Sequence, residues 1–463
     1  MELFSDKAGD EGLPGRPRAL AMAAVMTSTT MAVFDGSMVN IALPQIAAAL
    51  KVSAPAAVWV ANGYLLAAAM TLAIFAALAS RFGFRLLFAC GLSLFTAASL
   101  GCALSSSLTA LTGWRIVQGI GGAATLSIAP AILRSVFPDR LLGRILGLHA
   151  LLIAASTALA PLLGGTLLAA LDWRWLFAVN LPLGAIALML TLRVIPGKKA
   201  PQREPFDVAG AWLSAIMLGA LIMTASTFSR PDKDDGMLFT ALAYGALAIT
   251  AGGLFIWRQQ RAPKPLLPLA MFASRRFSLA ALTSLASFVS QGMTFVALPF
   301  LFQSVYGYSA FESALLFTPW PLGIILVAPH AGRMADRHSP ALISTLGLCV
   351  FAVGLALLAL LPDRAAMWDI GVRSLVCGLG FGCFQSPNNR EMLSNVSREN
   401  SGYASGVLAI MRTFGQCLGA ALVGVILSLS NNALAVHLSL WVAALATVLA
   451  LLFSVSRLRI WRV

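Results

Sequence analysis

Apolar runs of about twenty residues follow one another along the whole chain, separated by short polar stretches. As an α-helix, a run of that length crosses roughly 30 Å of hydrocarbon. In lipid the backbone has no water to bond to, so only helices and closed barrels span it. Barrel strands would be about ten residues long with alternating polarity, a pattern this chain lacks. Charged residues make up 11% of 463, where soluble domains run nearer a quarter. The expected fold class is an all-α polytopic membrane protein.

The runs predict fourteen spans, at about 18–43, 56–79, 85–104, 108–132, 142–169, 173–195, 207–229, 237–257, 277–303, 310–332, 340–361, 366–388, 403–429 and 433–456. An even number puts both termini on one side. With that side cytoplasmic, 24 of 32 Lys/Arg fall in cytoplasmic segments and five in outer ones (Lys51, Arg174, Arg230, Lys233, Arg364), leaving Arg115, Arg373 and Arg412 inside spans. This asymmetry is the one the positive-inside rule requires. The net charge of +14 therefore belongs to loops that set orientation and meet anionic lipid, and no nucleic-acid partner is expected. Residues 1–17 are polar and Gly/Pro-rich and read as a loose cytoplasmic tail rather than a cleavable leader.

Two stretches echo each other. Arg81-Phe82-Gly83-Phe84-Arg85 after span 2 is matched by Gly332 to Arg337 after span 10, and Gly143/Gly147 by Gly402/Gly406. Arg115, Gly119 and Gly121 are matched loosely by Arg373, Gly378 and Gly380. Repeats at a near-constant offset imply two six-helix bundles, 18–206 and 265–463, with two inserted helices at 207–264. Duplicated halves with a site between them are the architecture of alternating-access carriers.

Of 18 acidic residues, sorting by this map leaves only Asp35 deep in a span. A charge there is costly and marks a functional candidate. A proton-driven carrier needs a group that gains and loses H⁺, and arginine cannot release its proton. Asp35 is thus the expected proton site. The alternative is a carboxylate that bends or pins its helix and never titrates.

Several stretches carry a resemblance. They are Asp35-Gly36-Ser37 followed by Asn40-Ile41-Ala42-Leu43-Pro44, the loop around Arg81 and Gly83, Arg115 with Gln118-Gly119, and Pro161-Leu162-Leu163-Gly164-Gly165. Trp173-Arg174-Trp175-Leu176-Phe177 and Asn180-Leu181-Pro182-Leu183-Gly184 open span 6. In this order the chain resembles the major facilitator superfamily, in particular its fourteen-span drug:proton antiporter branch, over essentially its whole length. The resemblance implies a fold of two pseudo-symmetric bundles and proton-coupled export of drugs from the cytoplasm across a bacterial inner membrane. It pairs Arg115 with Asp35, although Arg115 alone could equally pin span 4 to carbonyls. The loop motif departs from the family at Ala76 and Ser80, where Gly and Asp are usual. The acid to which the family assigns locking of the halves is therefore missing. Asp336 and Arg337 of the second copy, with Gly332, are placed to carry that role.

Soft and polar residues on the expected cavity helices suit an adaptable pocket: Met31 and Met38 around Asp35, Gln118, Gln291 and Phe295 in span 9, and Gln385, Asn388 and Asn389 at the end of span 12. With one acid in the cavity, lipophilic cations or neutral compounds are favoured as cargo. Pro161, Gly164 and Gly165 are expected to bend span 5 and let helices approach closely. Arg412 is placed with the gating residues, with snorkelling to an interface as the alternative. His149, His330 and His437 are expected to pack or to line rims. The six cysteines all fall inside spans and have no metal-ligand spacing. No cofactor and no enzymatic activity are implied. The expected partners are a small-molecule substrate, H⁺ and the lipid bilayer, with the protein acting as a monomer. Competing readings are a carrier for a specific sugar or amino acid and a non-transporting receptor or assembly factor. A channel is disfavoured because no filter-like loop repeats.

Overall fold

The computed structural model describes residues 12–197, 206–229, 236–263, 265–335, 337–362, 364–396, 401–429 and 433–460. Among these residues every regular element is helical. The first half comprises α1 (Gly15–Leu50), α2 (Ala54–Phe82), α3 (Phe84–Ala103), α4 (Leu108–Val136), α5 (Asp139–Ala170), the short α6 (Trp175–Ala178) and α7 (Asn180–Val194). Next come α8 (Val208–Thr227) and α9 (Met237–Arg261). The second half comprises α10 (Arg275–Phe300), which continues as a π turn over Leu301–Val305, then α11 (Ala310–Phe317), α12 (Pro319–Met334), α13 (Pro340–Ala359), α14 (Met367–Ser394), α15 (Ser401–Leu429) and α16 (Ala433–Ile460). With α6–α7 and α11–α12 each taken as one crossing, thirteen crossings are long and apolar enough for a membrane. The fourteenth is α5, Asp139–Ala170, a 32-residue helix whose apolar run begins at Ile145.

Local chemistry sets the helix ends. Ser107, Asp207, Ser274 and Ser309 accept from backbone amides at the starts of α4, α8, α10 and α11, and Ser309 with Glu312 forms a reciprocal capping box. Pro stands in the first turn of α2 and α13, where its missing N–H costs nothing. Gly83 joins α2 to α3 at φ +89°, a conformation that L side chains rarely adopt. Within the tail expected at 1–17, the Leu13 amide donates to Val136 O (3.0 Å) and accepts at its carbonyl from Arg18 Nε (2.8 Å), so Leu13 is fastened to the end of α4.

The sequence echo has a packing counterpart. A Cβ on Gly121 of α4 would stand 2.7 Å from Gly91 O of α3, and one on Gly380 of α14 would stand 2.8 Å from Gly347 O of α13. The same glycine contact therefore brings the third and fourth helices of each half together. The halves meet along three seams, α2 with α15, α5 with α11 and α12, and α1 with α10. The inserted α8 packs on α9, α2 and α15, beside the first seam. Toward the face opposite the termini the seams are tight. Gln303 Nε2 donates to Ile41 O (2.8 Å), Cys417 Sγ to Asn62 Oδ1 (3.0 Å), and Gly165 abuts Ala310 and Ala314.

Candidate functional site

Four crossings converge on Asp35. Arg115 Nη1 of α4 pairs with Asp35 Oδ2. Gln118 Nε2, one turn further along α4, donates to Asp35 Oδ1 at 2.9 Å, and Asn180 Nδ2 from α7 donates to the same oxygen at 3.0 Å. Ser99 Oγ of α3 accepts from both amides, at 2.8 Å and 3.4 Å. The guanidinium is held in turn by Val60 O of α2 (Nε, 2.9 Å) and Gln118 Oε1 (Nη1, 2.7 Å). It lies over the rings of Tyr64 (4.4 Å to the centroid) and Phe177 (5.5 Å). Asp35 is 2% exposed and Arg115 0%, so the pair is enclosed within the first half.

Further hydrogen bonds to the remaining donors and acceptors offset the cost of enclosing an ion pair. Here both carboxylate oxygens accept from the protein, while Arg115 Nη2 is buried without a partner. A protonated Asp35 would have to donate from an oxygen that now faces only donors. The three donors to this carboxylate, Arg115, Gln118 and Asn180, each lie on an element other than α1.

The second half holds its own buried pair, which differs from the charge sorting above. Arg457 Nη1 of α16 donates to Glu391 Oε2 and Asn388 Oδ1 of α14, both at 2.8 Å. Its Nη2 donates to Ser454 Oγ, which also bonds Thr345 of α13 (2.8 Å each). Asn388 Nδ2 donates to Ala280 O and Ser284 Oγ of α10. The predicted spans stop at 388 and 456, which leaves Glu391 and Arg457 in cytoplasmic segments. Helices α14 and α16 instead continue to Ser394 and Ile460, which takes both residues into the protein. Asp35 is thus not the only enclosed acid.

Of the remaining predicted site residues, the structure brings some together and separates others. Met31 and Met38 are fully packed, Met38 lying under Gly164 of α5. Gln291 Oε1 accepts from Gln416 Nε2 (2.9 Å) across α10 and α15. Phe295 joins an aromatic cluster with Phe317 and Trp320. Asn388 belongs to the Arg457 network and not to a cavity wall, whereas Gln385 and Asn389 are half-buried on α14. Pro161 is inside α5. Arg81 lies in the last turn of α2, and Arg337 is exposed beyond α12. Asp336 lies outside the described residues. Arg373, the counterpart of Arg115, pairs within its own helix with Asp369 (2.9 Å), so the two halves use equivalent arginines differently. Arg412 is half-buried on α15, within electrostatic reach of Tyr64 on α2 and His149 on α5. Sequence reasoning misses Ser99, since one serine among many in an apolar run gives no signal.

The family model described as Major Facilitator Superfamily matches residues 25–420. The chain is 40% identical over 447 residues to "Uncharacterized transporter YebQ" of Escherichia coli, covering 96% of each chain. It is 28% identical over 392 residues to "Riboflavin transporter RibZ" of Clostridioides difficile, covering 84% of each. With "Multidrug resistance protein Stp" of Mycobacterium tuberculosis it shares 30% identity over 416 residues, 89% of this chain and 76% of that one.

Proposed function

Because this chain belongs to the Major Facilitator Superfamily, we propose that it is a proton-coupled efflux carrier working by alternating access. Its cargo is lipophilic small molecules, taken from the cytoplasm of a bacterium and released across the inner membrane. Both termini lie in the cytoplasm on this reading, and the protein works as a monomer. The Asp35 network carries the proposal. It sets one ionisable carboxylate where four crossings meet and makes its proton exchange depend on their movement. The multidrug-resistance relative supports drugs as the cargo.

The cycle follows from the contacts. Protonation of Asp35 cancels its charge and frees Arg115, Gln118 and Asn180, loosening α4 and α7 from α1. That proton comes from the outer side: cargo entering from the cytoplasm first parts the seams closed by Gln303 on Ile41 and by Gly165 on Ala314, Asp35 takes up H⁺ and cargo leaves while they are open, and the seams then reclose as the face carrying the termini opens. Deprotonation toward the cytoplasm restores the ion pair. A pH difference of one unit supplies about 1.4 kcal/mol and 100 mV about 2.3 kcal/mol per charge. One proton per substrate, with one net charge moved, sustains a gradient of roughly 500-fold.

The test is Asp35→Asn in inverted vesicles. Proton-driven dye accumulation should be lost while counterflow exchange of dye persists. Undiminished proton-driven accumulation rules the carrier role of Asp35 out. The riboflavin transporter among the relatives favours a second reading, a carrier for one metabolite. Overexpression that leaves sensitivity to a panel of dyes and biocides unchanged, but alters export of one metabolite, would select it.

A further inference from the structure

Among the guanidiniums deep in the helices, Arg412 stands apart. Arg115 is bonded to Asp35, Gln118 and Val60, Arg373 to Asp369, and Arg457 to Glu391, Asn388 and Ser454. Among the described residues no hydrogen bond or ion pair holds Arg412. Snorkelling does not explain it. Arg412 is eleven residues into α15, about 16 Å from that end at 1.5 Å per residue, and further still from the other. An uncompensated charge at such depth costs several kcal/mol and persists where something else meets it.

The surroundings suggest what that is. Arg412 lies on the α15 seam, half-buried, with Tyr64 and His149 of the other half as the ionisable groups within reach. Neither is an acid of carboxylate type. Asp35 is already occupied by three donors, which removes the reason for expecting cationic cargo. One turn beyond Arg412, Gln416 is tied to Gln291. In the first half, His149 Nε2 of α5 is bonded to Thr29 Oγ1 of α1 at 3.0 Å. One turn from that pair, Met26, Leu148, Leu152 and Ala155 line an apolar recess of about 290 Å³. The arrangement is a planar cation with a polar neighbour on one half and, within electrostatic reach on the other, Tyr64 and the Thr29-bonded His149.

We propose that Arg412 is a substrate-binding residue that receives the carboxylate of a lipophilic organic acid, so that the cargo is amphipathic and anionic. The fork of a guanidinium matches a carboxylate with two parallel hydrogen bonds, and a ligand anion supplies the counter-charge the protein withholds. Bound between α15 and the first half, it ties the two halves together. The ring of Tyr64, stacked on Arg115 and within reach of Arg412, then links the cargo site to the Asp35 network. This inference rests on the carrier reading above, but not on its proton coupling.

The test is equilibrium binding to the purified full-length protein in a neutral detergent, without any proton gradient. The probes are 1-naphthoate, its methyl ester and 1-naphthylmethylamine. Wild-type protein should bind the acid at least about tenfold more tightly than the ester. Arg412→Gln should abolish that difference at an unchanged unfolding temperature, and Arg412→Lys should keep part of it. The proposal is overturned if the wild type binds ester or amine as well as the acid, if it binds none of them, or if Arg412→Gln retains the preference. Vesicle assays separate this from the coupling scheme. Proton-driven dye transport that survives in Arg412→Gln, with no acid preference in the wild type, sinks the anion site alone.

Discussion

Asn180 Nδ2 stands 3.0 Å from Asp35 Oδ1 and 3.4 Å from Ser99 Oγ, tying the first residue of α7 to the middle of α1 and to α3. Replacing Asn180 by Leu removes a donor from an enclosed carboxylate without changing charge. The expected cost is about 1–3 kcal/mol. It should register as earlier thermal exposure of the enclosed Cys102, Cys377 and Cys417 to a maleimide dye, with Cys90 and Cys349 replaced by Ser. An Asn180→Leu variant as stable as the wild type would mean that Gln118 and Arg115 suffice to hold Asp35.

The Glu391–Arg457 pair gives a prediction of opposite sign for one substitution and two. Arg457→Met alone leaves a buried carboxylate without the cation bonded to it, and breaking such a pair costs about 3–5 kcal/mol. Adding Glu391→Leu removes the stranded charge and should recover most of that loss. The same thiol-exposure assay on both variants decides it. A double variant no more stable than the single one would show that Asn388 and Ser454, which also bond Arg457, need the cation more than Glu391 does.

These two pairs also show how far the sequence could be read. Asp35, Arg115 and Gln118 are polar residues in long apolar runs, so their exceptional character is visible in one dimension, as are the helices that carry them. Glu391 and Arg457 are hidden by where helices end. Each is in the last turns of its helix, next to a polar loop, and a hydropathy map draws its boundary just before them. Ser99 and Asn180 matter only through a convergence of α3 and α7 that no local pattern encodes. Asn388 reads as a cavity residue because polar residues near a span end look alike, whichever face they occupy. The repeat was legible in glycines because close packing forbids a side chain at the same place in both halves.

Outside the membrane-spanning segments, Asp207 predicts a pH dependence. Burial works against its charged form, but Arg258 Nε (2.8 Å), the Gly210 amide (3.0 Å) and Gln259 Nε2 (2.7 Å) all donate to it. They outweigh burial and hold Asp207 below the usual carboxylate range. A depressed folded value means that the stabilisation is fully present above the unfolded value of about 3.9. It is lost as pH falls through the lower folded value. Hydrogen exchange at the Gly210 amide, and at the Leu267 amide that donates to Gln259 Oε1 (2.9 Å), should be flat from neutral pH to about 5, relative to intrinsic rates, and lose protection below about 4. Asp207→Asn should remove that step. A step centred near pH 6 would point to another group.

Gly165 offers control over which face is open. A Cβ there would stand 2.4 Å from Ala314 Cβ and 2.8 Å from Ala310 O, whereas one on Gly164 would reach Met38 Cβ at 3.2 Å. The Gly165 contact joins α5 of one half to α11 of the other, so a side chain at 165 cannot be absorbed by a rotamer change. It strains only the state in which that seam is shut. Gly164→Ala presses on Met38 within the first half and strains both states alike. Overpacking costs about 1–3 kcal/mol, and applied to one state of two it shifts their ratio roughly 5- to 150-fold. Gly165→Val should therefore lengthen the distance between spin labels at Leu171→Cys and Val305→Cys, two exposed positions on the face opposite the termini, in a background without native cysteines. Gly164→Ala should leave it unchanged. Transport should fall in Gly165→Val because the closed state is needed once per cycle. An unaltered distance distribution in Gly165→Val would mean that the α5–α11 contact follows closure of the seam and does not determine it.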